Sequence, residues 1–338
     1  MRKIIMLCFA FLFIGKTIAQ EVPLLSNISA RNNINLNGQW RYIVDPLENG
    51  YYDYRLMPLK NNGFFENKKF NTTELSEYNF ATSAVMQIPS DWNSKDERLF
   101  FYEGTVWFEK DFNYKKDAKT KGILHFGAVN YDAKVYVNGK LAGTHIGGYT
   151  PFNFDVTNLL VDGNNFVVVK ADNKRHKDNV PTVNMDWWNY GGITRDVNLA
   201  QVPNTYIEDY LVQLNKNEKG KISGWIKLNN ETANESVSVS IPELKIKKDI
   251  KTDAKGMAYF EIKANPVLWT PENPKLYEVK ISKADENLVD QIGFRTIETK
   301  GKEILLNGKK SFCEALVFTK KLLLDLEELG QQKMRILC

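Results

Sequence analysis

A chain of 338 residues can hold two full domains of about 100–200 residues and part of a third. Its hydrophobic fraction of 43% is that of a water-soluble protein, and its net charge of +4 falls to +1 once Arg2, Lys3 and Lys16 of an N-terminal leader are set aside. That balance leaves no electrostatic case for a nucleic-acid partner.

In chain order, the leader comes first. Arg2-Lys3 are followed by the apolar run "IIMLCFAFLFIG", and Thr17 and Ala19 supply small residues at a cleavage point. Residues 1–19 therefore read as a signal peptide, too short to persist as a membrane anchor. The mature chain from Gln20 is expected to be secreted or periplasmic. Cys8 leaves with the leader, Cys313 and Cys338 lie near the end, and the body between Gln20 and Lys310 contains no cysteine. That excludes a disulfide framework and a thiolate metal site there. His125, His145 and His176 sit at spacings that match no zinc pattern, so no metal site and no cofactor are expected.

Residues 20–202 read as one β-sandwich of jelly-roll size. In "KGILHFGAVNYDAKVYVNGKLAGTHIGGYTPFNFDVTNLL", apolar and polar residues alternate with the period of a half-buried strand. Asn138-Gly139 supplies the two positive-φ residues of a tight hairpin, and Gly147-Gly148 breaks the next strand. "NNFVVVKADN" reads as a more fully buried strand. Pro203 punctuates the chain, and residues 203–298 follow with short strands about a dozen residues apart: "IEDYLVQLN", "GKISGWIKLNN", "SVSVSIPEL", "AYFEIK", "KLYEVKISK" and "QIGFRTIE". This is the pattern of an immunoglobulin-like β-sandwich. No helices alternate with these strands, so the predicted class is all-β. Trp40, Trp107, Trp225 and Trp269 are read as packing residues. Residues 299–338 begin as a lead into another domain and end in a leucine-rich, charged tail. There Leu322, Leu323, Leu326 and Leu329 share one face of a potential helix.

Seven motifs in order give the chain a resemblance. They are "NLNGQW" (35–40), "IPSDWN" (88–93), "YEGTVWFEKDF" (102–112), "VYVNGKLAGTHIGGYTPFNFDVT" (135–157), "WNYGGITRDV" (188–197), "LWTPENPKLYEV" with "IGFRTIE" (268–279 and 292–298), and "ILLNGKK" (304–310). Together they resemble the N-terminal half of the glycoside hydrolase family 2 β-glycosidases, the group of β-galactosidases, β-glucuronidases and β-mannosidases. The resemblance implies a galactose-binding-like jelly roll, an immunoglobulin-like sandwich and the lead into a catalytic barrel. It also implies a β-linked glycan as ligand. By position in "NMDWWNYGG", the resemblance makes Asp186 the residue sent toward the sugar pocket, with Trp187 beside it. A carboxylate there accepts hydroxyl hydrogen bonds, and an indole offers a stacking face. Tyr102 and Glu103 are expected to approach the same pocket, and Arg195-Asp196 to form a structural ion pair.

Retaining glycosidases need a carboxylic acid and a carboxylate nucleophile about 5–5.5 Å apart. In the family these are glutamates on a (β/α)₈ barrel of about 250 residues. After Lys310 only the tail remains, and Glu298, Glu303, Glu314, Glu327 and Glu328 do not stand in the family's catalytic context. No catalytic residue is assigned, and the sequence is expected to be inactive alone. One reading is the front of a β-galactosidase- or β-glucuronidase-like enzyme cut by a frameshift or premature stop. The alternative is a non-catalytic carbohydrate-binding module, or a subunit that completes a separate barrel-bearing chain.

Overall fold

The computed structural model describes residues 23–68, 78–180, 182–185, 188–216, 218, 220–284 and 286–311. The leader, Asp186, Trp187 and the tail from Phe312, with its cysteines and leucine face, lie outside them. Two compact units emerge, one built on Ile34–Ala200 and the other on Leu24–Asn33 with the chain from Gln201 onward.

The first unit is a jelly roll of antiparallel sheets. Its strands are β1 (Asn33–Asn35), β2 (Gly38–Val44), β3 (Ala84–Ile88), β4 (Thr105–Tyr114), β5 (Thr120–Phe126), β6 (Val129–Asn130), β7 (Asp132–Val137), β8 (Lys140–Ile146), β9 (Phe152–Asp155), β10 (Gly163–Asp172), β11 (Gly192–Ile193) and β12 (Val197–Pro203). The order β3-β2-β4-β10-β7-β8 forms one sheet and β1-β12-β5-β9 the other. Between them lies a core that includes Trp40, Trp92, Phe108, Phe126, Val135 and Val169. Full burial of such side chains stabilises the fold by about 1.5–3 kcal/mol each.

The run "FVVV" in β10 is buried on both faces because the larger sheet carries a second, smaller core on its far side. Val168, Trp107, Tyr136 and Ile43 pack there under Phe65 and Phe80. The excursion that covers them is anchored at Asp45, which accepts the Trp107 indole N–H at 2.9 Å and the backbone N–H of Asn49 and Gly50. The hairpin between β7 and β8 turns at Asn138-Gly139, with φ of 50° and 78° as their sequence demands.

The second unit is an immunoglobulin-like sandwich of β13 (Ile207–Leu214), β14 (Lys221–Leu228), β15 (Ser236–Ile241), β16 (Ile246–Lys251), β17 (Met257–Lys263), β18 (Tyr277–Lys283) and β19 (Glu286–Ile292). The sheets run β13-β14-β17 and β16-β15-β18-β19 and enclose Ile207, Ile226, Val239, Phe260, Tyr277 and Ile281. The fourth strand, β16, thus joins the sheet of the third, whereas in the constant-type arrangement it joins the first two. Sequence reading passes over β16 because "IKKDIK" is a lysine-rich edge strand, exposed along most of its length. The last strand lies at Glu286–Ile292, ahead of the "QIGFRTIE" that the sequence suggests. Beyond it, β20 (Ile297–Lys300), β21 (Glu303–Leu306) and β22 (Lys309–Ser311) form a three-stranded meander turning at Asn307-Gly308.

The sequence places the N-terminal segment with the jelly roll, yet Leu24–Asn33 groups with the second unit. The buried Arg31 explains why. Its guanidinium pairs with Glu286 and donates to the carbonyls of Ile207 and Ser26, while Glu286 also accepts the Ile207 N–H at 2.7 Å. Trp40 and Trp107 are fully buried as expected. Trp225 instead lies half-buried on the outward face of β14, and Trp269 is half-buried beneath the Arg295 guanidinium. Arg195 and Asp196 do not pair with each other: Arg195 donates to the Tyr149 carbonyl, and Asp196 accepts the Asn37 amide. Though adjacent in the chain, the two side chains bond to different loops.

Candidate functional site

Three of the sequence motifs, far apart in the chain, converge at one end of the jelly roll. "IPSDWN" leaves β3 and enters the short helix α1 (Trp92–Lys95), capped by Asp91, whose carboxylate accepts the Ser94 N–H at 2.7 Å. Its backbone is bonded to the third motif, Ser90 N–H to Ile193 O and Trp92 N–H to Gly191 O, both at 2.9 Å. The Gly191-Gly192 pair is required by this approach. A Cβ on Gly191 would lie 2.0 Å from the buried Trp92 ring, and one on Gly192, with φ of 141°, would lie 2.7 Å from Ser90 O.

Buried asparagines hold the loops above this junction. The Asn93 amide donates to the carbonyls of Leu99 and Tyr102, each at 3.0 Å, and accepts Gly191 N–H at 2.9 Å. Asn173 accepts Gly104 N–H at 2.9 Å and donates to Asn189 O at 2.9 Å, and Asn189 returns a hydrogen bond to Asn173 O. Such side chains satisfy loop carbonyls and N–H groups that no ladder can reach. They fix the loop at 97–104 against the loop at 173–190.

On this scaffold stands an open pocket of about 210 Å³ lined by Asn93, Phe100, Phe101, Glu103, Arg175, Trp188 and Asn189. Phe100, Phe101 and Trp188 are all exposed and lean on one another, with centroids 4.7–5.4 Å apart. Facing them, Arg175 pairs through Nε with Glu103 at 3.0 Å and donates through its Nη1 to Met185 O at 3.1 Å. A wall of aromatic rings opposite a carboxylate–guanidinium pair suits a sugar, whose C–H faces stack while its hydroxyls bond the charged groups.

Of the residues expected here, Glu103 lines the pocket. Tyr102 turns inward: its hydroxyl donates to Thr105 O at 2.9 Å, its ring leans on Trp92, and burial pushes its pKa up. Asp186 and Trp187 lie outside the described residues, but Met185 and Trp188 on either side of them are both held at this rim. Phe100, Phe101 and Arg175 are absent from the sequence-based expectation. The adjacent, unpatterned "FF" before "YEG" was the signal available for two of them.

The carboxyls that burial pushes up, Glu286 in the second unit and Glu109, lie elsewhere. Glu109, buried beneath the Phe64–Glu66 turn, is pushed up to about 7 by burial and by Asp111 beside it. It accepts Asn67 Nδ2 at 3.1 Å and faces Arg41 at 3.8 Å, so its setting is packing and not a cleft.

The profile described as "Glycosyl hydrolases family 2, sugar binding domain" matches residues 34–203, and "Glycosyl hydrolases family 2" matches 205–295. A putative β-glucuronidase of Formosa agariphila is 29% identical over 68% of this chain and 31% of its own length. A β-galactosidase of Thermoanaerobacter pseudethanolicus is 30% identical over 79% and 35% respectively. The chain thus spans about a third of the length of these curated relatives. Among solved structures, a β-glucuronidase of an uncultured Clostridium sp. superposes with a TM-score of 0.66 at 28% identity, covering 86% of this chain and 49% of that one. The fold is shared too by the β-glucuronidase of Bifidobacterium dentium, complexed with coumarin-3-O-glucuronide, at a TM-score of 0.68 and 22% identity, over 85% and 51% of the two chains.

Proposed function

Because this chain belongs to glycoside hydrolase family 2, we propose that it supplies the sugar-binding and immunoglobulin-like portion of a β-glycosidase of the glucuronidase or galactosidase kind. The rim formed by Phe100, Phe101, Glu103, Arg175 and Trp188 borders the sugar in this reading, and Asp186 and Trp187 reach it. The observation that carries the reading is the bracketing of 186–187. Arg175 grips Met185 O on one side, and Trp188 is stacked on Phe100 on the other, both around the pocket that holds Glu103.

Protonation of the leaving oxygen and nucleophilic attack belong to a pair of barrel glutamates. That pair is proposed to come from sequence outside residues 34–295, carried by a barrel-bearing partner. The residues of this chain then bind and orient: Glu103 accepts sugar hydroxyls, Arg175 holds Glu103 in place, and the aromatic wall excludes water from one face. The basic and apolar run read as a signal peptide at 1–19 supports a periplasmic or extracellular setting for this work.

The test is complementation. The purified chain is expected to leave nitrophenyl β-glucuronide and β-galactoside at the buffer rate. Mixed with a separately produced barrel from the Formosa agariphila relative, it is expected to raise turnover of one of them above that of the barrel alone. Glu103→Gln should then lower kcat/KM by about tenfold, the size of one lost charge-assisted hydrogen bond. Turnover by the unaided chain, or a barrel indifferent to its presence, overturns the reading.

A further inference from the structure

The second unit carries an unassigned surface on the outer face of the β13-β14-β17 sheet. Strand pairing sets Leu211 opposite Trp225 and Trp225 opposite Tyr259, so the three form one row across the sheet. The next outward row is Gln213, Ser223 and Glu261. Directly opposed residues sit about 5 Å apart and successive outward rows about 6.6 Å apart. An aromatic strip therefore runs beside a polar strip, within a shallow groove of about 340 Å³. Tyr259 is 63% exposed and Trp225 half-buried, although Trp225 was expected to pack inward.

Among the described residues the Trp225 indole N–H, the Tyr259 hydroxyl, the Ser223 hydroxyl and the Gln213 amide have no protein partner. The one charged residue of the groove lining, Glu261, is already paired, as is Lys227 beside it. Glu261 accepts Asn215 at 3.0 Å and lies 3.5 Å from Lys221, and Lys227 pairs with Glu208. A groove with flat rings, unused donors and acceptors and no unpaired charge in its lining matches a ligand that is hydroxylated, uncharged and apolar on its ring faces.

We propose that this face binds an uncharged β-linked glycan chain, with Trp225 and Tyr259 stacked on successive sugar rings and Ser223 and Gln213 bonding their hydroxyls. Such a surface would hold polymeric substrate without any part in bond cleavage. The inference does not depend on the pocket around Glu103, which belongs to the first unit.

The experiment is calorimetric titration of the full chain with cellotetraose, with β-1,4-galactotetraose and, as the charged comparison, with a β-1,4-mannuronate tetramer. Saturable binding of a neutral tetramer is expected, with the mannuronate weaker. Tyr259→Ala, at an exposed position that leaves folding intact by circular dichroism, should weaken binding about tenfold, or 1.4 kcal/mol, for the loss of one stacking ring. Ser223→Ala should weaken it about threefold, as one hydrogen bond does. The weakening by Tyr259→Ala should be the same in a Glu103→Gln background, which separates this inference from the proposal for the first unit. No saturable heat with either neutral tetramer, or binding indifferent to Tyr259→Ala, overturns it. So does a self-association that Tyr259→Ala abolishes, since a second copy would then be the occupant.

Discussion

Glu109→Gln isolates the cost of a buried carboxylate in the jelly roll. Glu109 is 2% exposed, and its causes of shift rank as burial first, then repulsion from Asp111, opposed in part by Arg41. An acid whose folded pKa lies above its unfolded one contributes stability that is complete below about pH 4.5 and is lost as pH rises through about 7. At about 1.4 kcal/mol per unit the ceiling over that window is about 3 kcal/mol. Asp111 is 68% and the Arg41 side chain 42% exposed, so solvent screens both, and about 2 kcal/mol is the working figure. For a domain of this size that corresponds to a Tm shift of about 4–8 °C. The glutamine keeps the carbonyl that accepts Asn67 and can donate to Asp111 as the protonated acid does. Half-buried His125, pushed down by desolvation, acts in the opposite direction, its contribution being lost as pH falls below about 6.5. The readout is therefore the difference between parent and variant. Calorimetric or urea unfolding is expected to show the two equal at pH 4.5 and the variant more stable by about 2 kcal/mol at pH 8. A variant less stable than the parent at pH 8, or two parallel pH profiles, would show that Glu109 is already ionised without penalty and refute the reasoning.

Gly191→Ala should destabilise the jelly roll by about 3 kcal/mol, since its Cβ would fall 2.0 Å from the immobile Trp92 ring. An unchanged urea midpoint for that unit would show that the loop gives way freely. Glu286→Gln should cost about 3–5 kcal/mol by leaving the buried Arg31 guanidinium without its counter-charge. Proteolysis of the variant should then open Leu24–Asn33, whereas protection of that segment would place its anchor elsewhere.

The hairpin at Asn138-Gly139 was legible because two positive-φ residues permit one turn, and the meander turn at Asn307-Gly308 follows the same rule. The doubly buried strand β10 was legible from its valines, but not the layer that covers it, because that layer is an irregular excursion with no period. Trp225 was misread although its parity was available. In "ISGWI" the inward residues Ile222 and Ile226 leave Trp225 on the same face as Ser223, and aromatic size suggested a core that alternation denies. The candidate site divides in the same way. Glu103 could be reached from a motif. Asn93, Asn173 and Asn189 could not, because asparagine in a loop looks like an ordinary turn residue, and its partners here lie up to 98 positions away. Those asparagines explain why the motifs stand where they do. "IPSDWN" contributes the amide that holds Leu99 and Tyr102, "YEG" the glycine N–H taken by Asn173, and "WNYGG" the close approach to Trp92. Most of what looks like a sugar signature is thus the frame that keeps two loops together, and under the proposed function the contact chemistry falls to side chains that line the pocket: Phe100, Phe101, Glu103, Arg175 and Trp188.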